Sequence, residues 1–298
     1  MMLVFLAFTY TLIPGARYCF ATPQVTAGII SSEIVKPKRE AISRREPTKP
    51  RSKWPHEIVA ENFKVHSDFR LAAQDALLLE LRQVQADLKA VLGVRDYGQK
   101  IHVVLFGSDS EYRRYMQAYF PGLPSRRAIF LQDRGPGMLF THWHQDVATD
   151  LRHEVTHALL NQTGKTLPLW LDEGIAEYFE LAASDRFDAN PYLESLRRTG
   201  QTRVQSIAEL DAKRVVSEFT DRDYRDSWAW VHFFIHRRAE TREALGSFLR
   251  LYASLPESDS AFELERAMRT ISPDLESEMR EHFRKLHSRP RMVTAVAR

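Results

Sequence analysis

The sequence predicts an α+β fold: a small mixed sheet with a functional helix laid against it, followed by a mostly helical C-terminal lobe. Two observations predict it. Short alternating or β-branched apolar runs lie before position 145, and beyond Glu180 the apolar residues recur at helical spacing. With 44% hydrophobic and 11% aromatic residues in 298 positions, the chain has enough apolar surface to bury one large core or two small lobes.

The first 13 residues form an almost unbroken apolar run closed by Pro14 and Gly15. That is shorter than the roughly 20 residues of a membrane span but suits the core of a secretory leader. Residues 1–21 are therefore expected to be a signal peptide cleaved after Ala21, which makes the protein secreted, periplasmic or otherwise of the cell envelope, with no stable membrane span in the mature chain. Cys19 is the only cysteine and leaves with the leader, so no disulfide is expected. Residues 22–56 carry five prolines among basic and small polar residues and read as a linker. The whole-chain charge is +3, but residues 36–53 alone hold eight basic residues against Glu40 and Glu46, so residues 54–298 are net −3. No aromatics interleave with this basic tract before Trp54, which argues against nucleic-acid binding.

The folded part is expected to comprise an α+β lobe over 57–183, a helical lobe over 184–290 and a tail over 291–298, with a cleft between the lobes. A strand is expected over 58–66, then an amphipathic helix over 71–92 stopped by Gly93. A strand over 101–106 precedes a helix through Tyr119, with Ser108 and Glu111 as its capping box. Apolar runs at 128–131 and 138–141 flank Asp133-Arg134-Gly135-Pro136-Gly137 and read as a hairpin. Asp146, the stripe Val147, Leu151, Val155, Ala158 and Leu159, and Asn161 near its end outline the next helix. A further helix follows with Pro168 near its first turn. Helices are expected over 206–213, 224–237, 241–253, 261–270 and 273–286.

The most informative segment is His153-Glu154-Val155-Thr156-His157. Residues four apart on a helix stand on one face, so both histidines can offer a ring nitrogen to one metal ion, and zinc fits. Glu154 lies about 100° around the helix, where it reaches a water at the metal without being a ligand. The second segment is Leu169-Trp170-Leu171-Asp172-Glu173-Gly174-Ile175-Ala176-Glu177-Tyr178. Two helices joined by a short turn can face each other and bring Glu173 to the histidines. Three protein ligands with a fourth position left to water distinguish a catalytic zinc site from a closed structural one. Glu177, one turn after Glu173, is placed to accept the remaining N–H of a ligand histidine, with Asp150 a weaker choice for that role.

Together these segments resemble the glutamate-zincin (gluzincin) metallopeptidases, and more closely the bacterial peptidase-like domains of that clan. The resemblance covers about 145–180 strongly and 57–255 loosely. It implies that His153, His157 and Glu173 bind Zn2+, that Glu154 is the general base, and that the hairpin at 128–141 is a rail for an extended substrate peptide. The spacer of fifteen residues between His157 and Glu173 is shorter than in the aminopeptidase and thermolysin-like branches, so their substrate pockets are not implied.

Other residues invite comparison. His142 and His144 alternate and would share a strand face, although such pairs are more often surface residues. His232 and His236 are four apart but have no intervening carboxylate, and are expected to flank a core stripe of Trp228, Val231 and Ile235. For the developing oxyanion of peptide hydrolysis, Tyr224 is the first choice, with His232 and Tyr178 behind it. The expected function is a zinc metallopeptidase acting on a peptide or protein. The alternative is a catalytically silent zinc-binding module of the envelope.

Overall fold

A computed structural model describes residues 17–18, 54–72, 76–132, 135–198, 203–254 and 260–287. The expected leader and linker lie outside the described residues, save for positions 17–18 and 54–56. Among the described residues no helix is long and apolar enough to cross a membrane.

The architecture is α+β. Strands β1 (Arg17–Tyr18), β2 (His56–Ala60), β3 (Phe63–Ser67), β4 (Ile101–Phe106), β5 (Ala128–Gln132) and β6 (Met138–His142) form one mixed sheet in the order β1-β5-β6-β4-β3-β2. The β3, β4 and β6 strands run parallel, while β2 pairs antiparallel with β3, and β5 with β6 and β1. The helices are α1 (Ala76–Leu92), α2 (Asp109–Tyr119), α3 (Val147–Leu160), α4 (Leu169–Phe179), α5 (Pro191–Arg198), α6 (Ile207–Asp211), α7 (Asp221–His236), α8 (Ala239–Leu251), α9 (Ser260–Ile271) and α10 (Leu275–His287).

The two-residue period of a strand sorts the core. Val103, Leu105, Phe130 and Leu139 point to the face covered by α1 and α3, and join a hydrophobic cluster that continues through α4, α7 and α8 to α10. Their neighbours Val104, Phe106, Ile129, Leu131 and Phe140 point to the other face and pack with Tyr112 of α2. Near-continuous burial of β4 follows from its central, parallel position, where both faces are covered.

Two expected elements change. The strand over 58–66 is a hairpin, because Glu61 takes a φ of 53° and turns β2 back as β3. A left-handed residue inside an apolar run is not marked by residue type when it is glutamate. The first described residue of α1 is Ala76, so Leu71 and Ala72 precede it; α1 stops at Gly93, whose φ is 66°. Helix α5 was not foreseen.

Of α4, every residue from Trp170 to Phe179 is buried. Its partner is α7, and Gly174 is what permits the approach: a Cβ built there would lie 2.6 Å from the Ser227 carbonyl oxygen. The helix carrying Glu173 is thus held from both sides, by α3 and by α7.

Candidate metal centre

Helix α3 begins at Asp146, whose carboxylate pairs with Arg127 rather than capping the helix. Its C-terminal turn passes through Asn161–Thr163 to Gly164, at a φ of 73°, and the chain then re-enters as α4. Arg152 fastens the two helices. Its buried guanidinium bonds the Glu180 carbonyl at the end of α4 and reaches Glu80 of α1 at 2.9 Å.

This packing brings the expected ligands together. His157 Nε2 stands 3.1 Å from His153 Nε2, and Glu173 Oε2 stands 3.5 Å from His153 Nε2 and 3.6 Å from His157 Nε2. Adjacent ligand atoms of a tetrahedral zinc with bonds of about 2.0–2.1 Å are about 3.3 Å apart, so the three donors need only small shifts to hold one ion. The other oxygen of Glu173 is buried with no hydrogen-bond partner. Two imidazole nitrogens and one carboxylate oxygen form a donor set suited to zinc rather than to magnesium or calcium, which take oxygen ligands.

The charges fit a cation. Burial opposes protonation of His157, but Asp172 and Glu173 outweigh it and push its pKa up to about 10. His153 is likewise raised well above the ordinary histidine range, against burial, by Glu173 and Glu180. Burial works against ionised Glu173, yet His157 and His153 hold its pKa down to about 2. The pocket stabilises positive charge at the point where the three donors meet.

The partners of the far ring nitrogens differ from the expected ones. His153 Nδ1 lies 3.1 Å from Glu180 Oε2, and His157 Nδ1 lies 3.1 Å from Asp172 Oδ2. Glu177 instead takes a hydrogen bond from Tyr192, and burial, with Glu180 adding to it, pushes its pKa up to about 8. It faces α5, an element the sequence did not announce. Asp150 pairs with Arg127 at 2.9 Å and with His144 at 3.3 Å. Glu180 lay on the same side of its helix as Glu173 and Glu177, so a signal for it existed; Asp172, adjacent to a ligand, had none of its own.

Glu154 is buried, and its Oε2 accepts the backbone N–H of Phe130 in β5 at 2.8 Å. Burial raises its pKa, with His153 and His157 opposing. Tyr224, in the first turns of α7, is half-buried and shares a hydrogen bond with Arg126. Burial foremost, then the charge of Glu173, pushes its pKa up to about 12, so its hydroxyl keeps its proton.

The other histidines singled out in the sequence are engaged elsewhere. His142 faces Asp109 at 3.7 Å and His144 faces Asp150 at 3.3 Å. His232 is fully buried between His282 Nε2 at 3.0 Å and the Phe187 carbonyl at 2.9 Å. Tyr178 bonds His236 at 2.8 Å, on the side of α4 that packs on α7. Compared with known proteins, the chain matches no family model and no curated sequence.

Proposed function

We propose that the protein is a zinc-dependent metallopeptidase of gluzincin type that hydrolyses peptide bonds. The observation that carries this reading is the meeting of His153 Nε2, His157 Nε2 and Glu173 Oε2 within 3.1–3.6 Å of one another, with Glu154 one residue from the first of them. Zinc bound there supplies Lewis-acid polarisation of a scissile carbonyl and lowers the pKa of a water.

The protein's own groups do the rest. Phe130 N–H fixes one carboxylate oxygen of Glu154 and leaves the other for the proton of the attacking water, which Glu154 then delivers to the leaving amine. Burial raises its pKa, which favours uptake of that proton. Tyr224 donates its hydroxyl proton to the developing oxyanion as a hydrogen bond. Strand β5 offers the extended backbone along which a substrate peptide lies. Cleavage of the leader after Ala21 removes Arg17 and Tyr18 from their pairing with Gln132 and Leu131, and leaves β5 as the sheet edge in a secreted or envelope protein.

The test is metal content measured with an unbiased peptide-library digest. The zinc-loaded chain should cleave, a chelator should silence it, and Glu154→Gln should keep zinc while hydrolysis falls by about 100-fold or more. A fully zinc-loaded chain that cuts nothing, yet retains an envelope partner equally well as Glu154→Gln, overturns the reading in favour of a silent zinc-binding module.

A further inference from the structure

A cavity of about 270 Å³ opens between α2 and the segment leading into β5. Tyr112, Met116, Phe120 and Leu123 give it an apolar wall, and its two charged lining residues are Arg113 and Arg126, with no carboxylate among the residues that line it. Arg113 is already neutralised by both oxygens of Asp109, each at 2.8 Å. Arg126 lies at the other end of the wall and is exposed, hence reachable by a ligand.

Two observations place Arg126, at the rim of this cavity, near the metal centre. Arg126 hydrogen-bonds the Tyr224 hydroxyl, and the charge of Glu173 acts on the same tyrosine. The chain gives the same answer: Arg126 precedes by two residues the strand β5, whose Phe130 N–H bonds Glu154. A peptide lying along β5 with its scissile carbonyl near Glu154 therefore passes Arg126, which lines the cavity.

We propose that this cavity is a substrate subsite in which Arg126 binds a carboxylate of the peptide, so that the enzyme favours cleavage beside an acidic side chain or a free C-terminus. The wall takes the apolar stem of the residue, and the guanidinium takes its anionic head in a charge-assisted hydrogen bond. Holding Tyr224 from the other side, Arg126 links occupancy of the subsite to the placement of the oxyanion donor.

The inference rests on the metallopeptidase reading for the nature of the ligand, so its test measures binding apart from cleavage. Zinc-loaded Glu154→Gln protein is titrated with labelled peptides that differ at one group: glutamate with an amidated C-terminus, glutamine with an amidated C-terminus, and glutamine with a free C-terminus. Carboxylate peptides should bind about 10-fold more tightly than the uncharged one, and the advantage should shrink as salt is added. The glutamate arm and the free-terminus arm show which source of carboxylate is read. Arg126→Ala should erase the difference, Arg126→Lys should restore part of it, and Arg126→Glu should turn the preference towards a lysine peptide, with zinc content unchanged in each. Equal affinity for all three peptides, or a preference that survives Arg126→Ala, overturns the subsite. Carboxylate-selective binding by a native chain that cuts nothing upholds the subsite and refutes the hydrolase.

Discussion

Asp172 Oδ2 stands 3.1 Å from the Nδ1 of His157, while the next residue, Glu173, presents Oε2 to the Nε2 of the same ring. Adjacent residues of α4 thus grip one imidazole at both ends, and the ring cannot rotate without losing a carboxylate. Glu180 does the same for His153, from two turns further along.

Asp172→Asn and Glu180→Gln should each weaken zinc affinity by about 10- to 100-fold, as loss of such an orienting partner does elsewhere. Glu177→Ala should have the smaller effect, since its carboxyl answers Tyr192. Competition titrations against a chelator rank the three. A Glu177→Ala loss exceeding that of Asp172→Asn would refute the assignment.

Zinc binding should release protons and strengthen as pH rises. In the metal-free pocket Asp172 and Glu173 push the pKa of His157 up to about 10 and that of His153 is raised as well, so a metal competes with protons for these ring nitrogens. Calorimetry in buffers of different ionisation enthalpy counts them, and a binding heat independent of buffer contradicts the geometry.

The same groups set the stability of the metal-free chain. A histidine raised from 6.5 to about 10 on folding contributes fully below 6.5 and loses that contribution as pH climbs towards 10. Glu173, lowered from 4.5 to about 2, contributes above 4.5 and loses its share as pH falls through 2. These are two sides of one ion pair. The melting temperature of chelator-treated protein should therefore decline from about pH 7 to about pH 10, more steeply than that of His157→Gln. Parallel profiles would show that the pair adds nothing.

Tyr224→Phe removes a hydroxyl and little else. If that group meets the oxyanion, kcat should fall by about 10- to 1000-fold with KM and zinc content nearly unchanged. Because its pKa is near 12, no loss of activity from its ionisation is expected at working pH. A Tyr224→Phe variant with full kcat removes the tyrosine from the proposed reaction.

Gly174→Ala should destabilise the fold by about 1–3 kcal/mol, because the new methyl lies 2.6 Å from the Ser227 carbonyl and the two helices must part. Thermal unfolding reads the loss. Since α4 carries both Asp172 and Glu173, zinc affinity should fall with it, whereas an alanine at Gly98, which has nothing within 4 Å and a φ of +69°, should affect stability only.

The α+β class, the helices over the two motif segments and the meeting of His153, His157 and Glu173 between them could be read from the sequence, because they rest on local periodicity. His153 and His157 share a face through the helical repeat alone, and Glu173 follows in a helix whose apolar residues must be buried. Which groups hold those side chains in place follows from how the helices cross. Glu177, Glu180 and Asp172 were all within reach of a histidine along the chain, but the crossing of α3 on α4, fastened by Arg152, turned Glu180 and Asp172 to the rings, while α5 drew Glu177 to Tyr192. The bond from Phe130 to Glu154 spans 24 positions and depends on where β5 rests against α3. The turn at Glu61 was missed because the chain adopts a left-handed residue there without the glycine that advertises one. Periodicity reports which face of an element is buried; which groups meet across two buried faces depends on crossing angles and close approaches, such as that at Gly174, that no single segment contains.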